Sequence, residues 1–275
     1  MVVLLSLAAA LAYGLSDFVG GVASRRTSAW PVAFVGSLAA FAGAVVMALV
    51  VDGDPTRAHL LWGALAGVGS GAGGAFLYRG LAAGRMGVVA PISAVGAALL
   101  PVVVGVATGE RPDLLVWLGI AAAVPGIWLV SREPGGTGDL AAGITDGVLA
   151  GVGFGLLFAA MGQVPDDAGF APLAVAQGVS VVAVLATAVA LGGRWRPYDV
   201  SQAWGVVAGV LATVAATAFL LATQTGLLTI ASVVTSLYPA VTIALAAVVL
   251  RERIHGSQGV GLLLCGIAVG LVAAA

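Results

Sequence analysis

The chain repeats itself. Trp62-Gly63-Ala64-Leu65-Ala66-Gly67-Val68 returns 142 residues later as Trp204-Gly205-Val206-Val207-Ala208-Gly209-Val210. The same offset carries Gly84 onto Gly226, Glu110-Arg111 onto Glu252-Arg253, Gly119 onto Gly261 and Leu129-Val130 onto Leu271-Val272. Ala12-Tyr13-Gly14-Leu15 matches Gly153-Phe154-Gly155-Leu156 at an offset of 141, so the repeat reaches the first apolar run with a slip of one residue. A chain built this way folds as two copies of one unit, and each copy is strongly apolar.

The solvent for that fold follows from the charge count. Hydrophobic residues make up 61% of the chain and charged residues 8%, against about 25% charged in soluble domains. Such a chain cannot cover a soluble fold with polar surface. The 41 glycines suit helices that approach closely within lipid. A net charge of -1 argues against a nucleic-acid partner, since no basic patch gathers to neutralise phosphates. The first apolar run starts at Met1 with no basic segment ahead of it and leads into Arg25-Arg26. It reads as a membrane span and not as a cleaved signal.

A membrane helix needs about 20 mostly apolar residues, and the charged residues divide the chain into runs of that length. The expected spans are Val2–Val22, Trp30–Val51, Leu60–Leu81, Val88–Thr108, Leu114–Val130, Ile144–Gln163, Pro172–Leu191, Ala203–Thr223, Leu228–Leu250 and Gly256–Ala274. The longest polar break, Ser131–Asp139, falls where the two copies should join and is rich in Gly and Pro. The expected organisation is a first five-helix repeat at 1–131, a linker at 132–141 and a second repeat at 142–275. Five is odd, so the two repeats are inverted with respect to each other. The fold class is therefore an all-α membrane protein of ten transmembrane helices, a multi-pass protein of the cell membrane with the lipid bilayer as its partner. Trp30, Trp62, Trp117, Trp128 and Trp204 fall near span ends, as interfacial aromatics do.

Gly63/Gly67/Gly71, Gly147/Gly151/Gly155 and Gly266/Gly270 recur every four residues. Each stripe is expected to seat a neighbouring helix.

The residues that carry chemistry are few. Asp17 is the acidic residue placed well inside a span, and a carboxylate there is a functional candidate by default. Arg79, at the exit of span three, is its expected partner, with Tyr78 beside it. Tyr13 lies one turn before Asp17 on the same face, and Phe154 is its counterpart in the second repeat; for Phe154, helix packing is the better reading. Span nine presents Ser232, Thr235 and Ser236 on one face, followed by Tyr238 and Pro239. Pro239 cannot donate a backbone hydrogen bond, which should leave a carbonyl free beside the hydroxyls. Pro91 and Ser93 in span four make a similar, poorer site, and Pro101 offers a second bend. Gln224, near the turn before span nine, lines the mouth or caps a helix. Glu110 and Glu252 each stand beside arginine at a helix end, and local ion pairing is their expected role. The chain's one cysteine, Cys265, reads as a small core residue.

Other chemistries find no support. There is no phosphate-binding loop. Gly69-Ser70-Gly71 suggests a hydrolase nucleophile, but the only histidines, His59 and His255, stand at span edges. A channel would need a filter sequence, and none appears.

Three features resemble the EamA branch of the drug/metabolite transporter superfamily. They are the tandem five-span units, the endings Gly109-Glu110-Arg111-Pro112 and Leu250-Arg251-Glu252-Arg253 with a glycine nine residues after each glutamate, and Tyr13–Gly21 followed by Ser24-Arg25-Arg26. The resemblance implies a secondary transporter that exports a small metabolite or amphipathic solute by alternating access between the repeats. It implies no cofactor, with coupling to protons or none, in a monomer or homodimer. Ala97 stands where the family commonly has a proline, matching Pro239 in the second copy. The resemblance also implies cytoplasmic termini, whereas the arginines, concentrated in the odd-numbered loops, place that loop face inside.

Overall fold

The computed structural model describes residues 1–82, 86–131, 140–251 and 254–275, with the side chains of residues 25, 26, 78, 80–82, 86–88 and 140 outside the description. Ten of its helical segments are long and apolar enough to span a bilayer. The helices are α1 (Val2–Arg26), α2 (Ala29–Val50), α3 (Arg57–Ala82), α4 (Met86–Ala107), α5 (Leu114–Ser131), α6 (Leu140–Met161), α7 (Ala171–Ala190), α8 (Trp204–Thr225), α9 (Leu228–Thr235), α10 (Tyr238–Val249) and α11 (Gly256–Ala273). The short helices α9 and α10 together form the ninth span, which breaks at Ser236-Leu237 just before Pro239. In α4, by contrast, the helix runs unbroken through Pro91 and Pro101. The expected linker lies almost wholly outside the described residues.

Both termini lie at one end of the bundle. There, the start of α1 meets the end of α8, with Gly226 against Val2. We call this end the terminal side and the other the arginine side, since α1 and α3 end there on Arg26 and close to Arg79.

The helices sort into two bundles, and each bundle mixes the repeats. The first holds α1, α2, α8 and the ninth span; the second holds α3, α4, α6 and α7. Hydroxyl groups tie helices within a bundle. In the first, Ser16 donates to the Ala208 carbonyl at 2.8 Å, Thr242 to that of Gly14 at 3.2 Å and Thr213 to that of Ala40 at 3.2 Å. In the second, Ser70 and Ser180 pair at 3.2 Å, which makes Ser70 a packing residue. The α5 and α11 helices pack on each other at one flank, and α2 on α7 at the other.

Two of the three glycine stripes seat helices as expected. Gly63, Gly67 and Gly71 face Pro172, Ala176 and Ala183 of α7; Gly147, Gly151 and Gly155 face Ile92, Gly96 and Leu100 of α4. A Cβ at any of these six would collide with its neighbour. The third stripe is different: nothing among the described residues lies within 4 Å of a Cβ at Gly266 or Gly270.

Candidate functional site

Burial is uneven along the bundle axis. On the terminal side the ends of α6 and α8 and all of α9 are packed, through Phe158, Ala160, Met161, Phe219, Leu220, Ala222, Leu228 and Ala231. On the arginine side, α10 has no buried residue at all. The inward face of α1 shows the same gradient. Ser6 and Ala10 are buried, Tyr13 is half-buried, and Asp17 and Gly21 are exposed. These five share one face at helical spacing.

That face points into the protein. The exposed Leu4, Leu11 and Leu15 mark the lipid side of α1, roughly 120–160° from Asp17 around the helix. Gly14 meets Val241 of α10, and Ser16 and Gly20 meet Ala208 of α8. Asp17 therefore projects into the gap between α8 and α10. An exposed inward-facing carboxylate above packed helix ends marks a cleft against α1, open on the arginine side and packed shut on the terminal side.

Rings form the floor of the cleft. Tyr13 of α1 stands edge-on to Phe158 of α6, with centroids 6.2 Å apart, and is also 6.2 Å from Tyr238 of α10. Phe158 lies 4.7 Å from Phe219 of α8. Asp17 stands one helical turn from Tyr13 on the same face of α1. Among the described residues it has no hydrogen-bond or ion-pair partner.

The expected partner of Asp17 is engaged elsewhere. Arg79 donates from Nε to Asp146 Oδ1 at 2.8 Å and bonds the same oxygen through Nη2. Its guanidinium also lies over the Phe76 ring, 4.8 Å from the centroid. The cause is helix pairing: α3 packs along α6, with Gly69 and Gly73 against Gly153, Phe154 and Leu157, while α1 packs along α8. Asp17 and Arg79 thus belong to different bundles. Asp146 is the residue that sequence reasoning missed. The expected span began at Ile144, which put Asp146 at its edge, but α6 begins at Leu140. The side chain of Asp146 is 2% exposed, and its only sequence signal was an acidic residue two positions inside the expected sixth span. A cleft of ≈ 370 Å³ lined by Arg79, Ala142, Thr145 and Asp146 opens beside the pair.

The other expected site residues are dispersed. Phe154 is half-buried and lies against Gly73, in helix packing. Ser93 is buried, donates to the Ala90 carbonyl at 2.9 Å and faces Gly151 of α6, away from the cleft. Pro91 is buried in α4. Ser232 donates to the Thr229 carbonyl at 3.3 Å, while the fully buried Thr235 and Ser236 hydroxyls have no partner among the described residues. Gln224 is half-buried, and its Nε2 donates to the Pro165 carbonyl at 3.1 Å. That bond crosses between the bundles on the sealed side. The side chain of Tyr78, and Glu252 with Arg253, lie outside the described residues.

Glu110 corrects its expectation. Its carboxylate accepts from Leu228 N, from Thr229 N at 2.9 Å and from the Thr229 hydroxyl. It caps a helix of the other repeat and makes no local ion pair among the described residues. Arg111 instead donates to the carbonyls of Val106 and Glu110.

Two copies of a five-helix unit and these endings place the chain among known proteins. The profile of the EamA-like transporter family matches twice, over residues 1–132 and 141–274. The chain belongs to the EamA-like transporter family. One solved crystal structure shares the fold at a TM-score of 0.73 and 17% identity, covering 98% of this chain and 95% of that one. No curated protein matches. An EamA-like chain with ten spans is a multi-pass membrane protein of a transporter family.

Proposed function

We propose that this EamA-like chain is a secondary transporter that carries a small amphipathic solute through the cleft between its two bundles, in the direction of export. The observation that carries the reading is a cleft open at one end and packed shut at the other, with a carboxylate on its wall that has no partner among the described residues. An open channel would not be sealed, and the burial gradient instead suits one state of an alternating-access cycle. Rocking the first bundle against the second would separate Phe158 from Phe219 and close the walls around Asp17. Each bundle takes helices from both inverted repeats, so the opposite state has the same packing rules available to it.

The solute class follows from the lining. Tyr13, Tyr238 and Phe158 offer ring faces and edges, and Asp17 offers one negative charge with no cation beside it among the described residues. A solute with an apolar or aromatic body and a single positive amine satisfies both, by ion pairing and by cation–π contact. The same carboxylate serves a proton when coupling requires one. Counterflow in proteoliposomes tests the reading: preloaded solute should accelerate uptake of labelled solute. A hydrolase would show no counterflow, and a channel no trans-stimulation.

A further inference from the structure

We propose that Glu110 is the latch of the sealed side, holding the N-terminus of α9 and releasing it when that side opens; this rests on the alternating-access reading above. The latch joins the two moving parts. Glu110 follows α4 of the second bundle, and α9 belongs to the first. The residues it joins are 118 and 119 positions away in sequence.

The chain is shaped to deliver this carboxylate. Gly109 has φ +111, a left-handed conformation that a side chain disfavours. The Glu110 N–H folds back onto the Gly105 carbonyl at 2.9 Å. Gly105 leaves the space that the carboxylate occupies, since a Cβ there would collide with it. At the far end, the first N–H groups of α9 have no acceptor within their own helix, and the positive end of the helix dipole favours an anion. Leu228 also seals against Gly162 of α6, so holding the start of α9 holds an apolar seal between the bundles.

A latch must also be able to open. Water can replace a carboxylate as acceptor for α9 once the terminal side is wet, and a charge-assisted set of this kind biases two states by roughly ten- to a hundredfold. That suffices to favour one state without locking it.

The test uses the full chain with Cys265→Ala, which removes its one cysteine. Two reporters follow: Ala222→Cys in the seal, where Ala222 is 0% exposed, and Gly21→Cys on the open face, where nothing lies within 4 Å. Thiol-labelling rates are measured with Glu110 intact and with Glu110→Gln. The expected result is reciprocal: labelling rises about tenfold in the seal and falls on the open face. Thr229→Val should shift both rates the same way by less. Unchanged rates would overturn the proposal. So would a rise at both positions with a lower melting temperature, which would make the cap purely structural. Wild-type counterflow is scored separately. Its absence beside reciprocal labelling would sink the transport reading and leave the latch, while counterflow beside unchanged labelling would do the reverse.

Discussion

Asp17 bears most directly on what is carried. Its carboxylate stands in the cleft without a cationic partner among the described residues, so a positive solute should need it and a neutral isostere should not. Phenethylamine and phenethyl alcohol differ by that charge. In thermal-shift titrations, Asp17→Asn should weaken phenethylamine by about tenfold or more and leave the alcohol nearly unchanged. Equal losses for both would remove the charge from recognition. Asp17 was legible as a functional candidate because a carboxylate inside a span is rare and needs a reason. Its partner was not legible. Pairing Arg79 with Asp17 rested on both lying near the same membrane face, and a face contains five helix ends of each repeat. Only the α3–α6 contact selects Asp146. That pair gives a second test. Arg79→Ala should destabilise the protein by roughly 1–3 kcal/mol, less than a fully enclosed pair would, because the arginine is 48% exposed. Adding Asp146→Ala should recover much of the loss in a double-mutant cycle.

Among elements, glycine position decides more than glycine number. Gly209 of α8 sits so close to α2 that a Cβ would strike the Gly36 carbonyl. Gly209→Ala should therefore cost about 2 kcal/mol through overpacking. Gly266→Ala meets nothing within 4 Å and should be neutral or slightly stabilising, since alanine is the better helix former. Melting temperatures in one detergent compare them directly. The four-residue spacing of the three glycine stripes was readable in the sequence, as were the ten spans, because apolar length and spacing are local properties. Which stripe has a neighbour is not local, and so Gly266 and Gly270 misled. The ninth span shows the same divide. Pro239 announced an interruption, and the helix does break there. Yet α4 carries two prolines unbroken. Proline removes one donor in both spans, and the surrounding packing decides whether the helix parts.

At the scale of the molecule, the proposed alternating access requires the two bundles to separate on the terminal side, and a covalent tie there should stop it. The interface offers a suitable pair. A Cβ at Gly162 of α6 would lie 3.2 Å from Leu228 Cγ at the start of α9, which is the position a cysteine sulfur would take at residue 228. That spacing suits a disulfide. Gly162→Cys with Leu228→Cys, in the Cys265→Ala chain, should therefore crosslink under mild oxidation. The oxidised protein should lose counterflow and regain it with reductant. Binding reached from the arginine side should survive oxidation, because Asp17, Tyr13 and Tyr238 lie beyond the tie. Full counterflow with the disulfide formed would mean that the seal between Phe158, Phe219 and Leu228 never opens during transport, and the path would then have to avoid the cleft altogether.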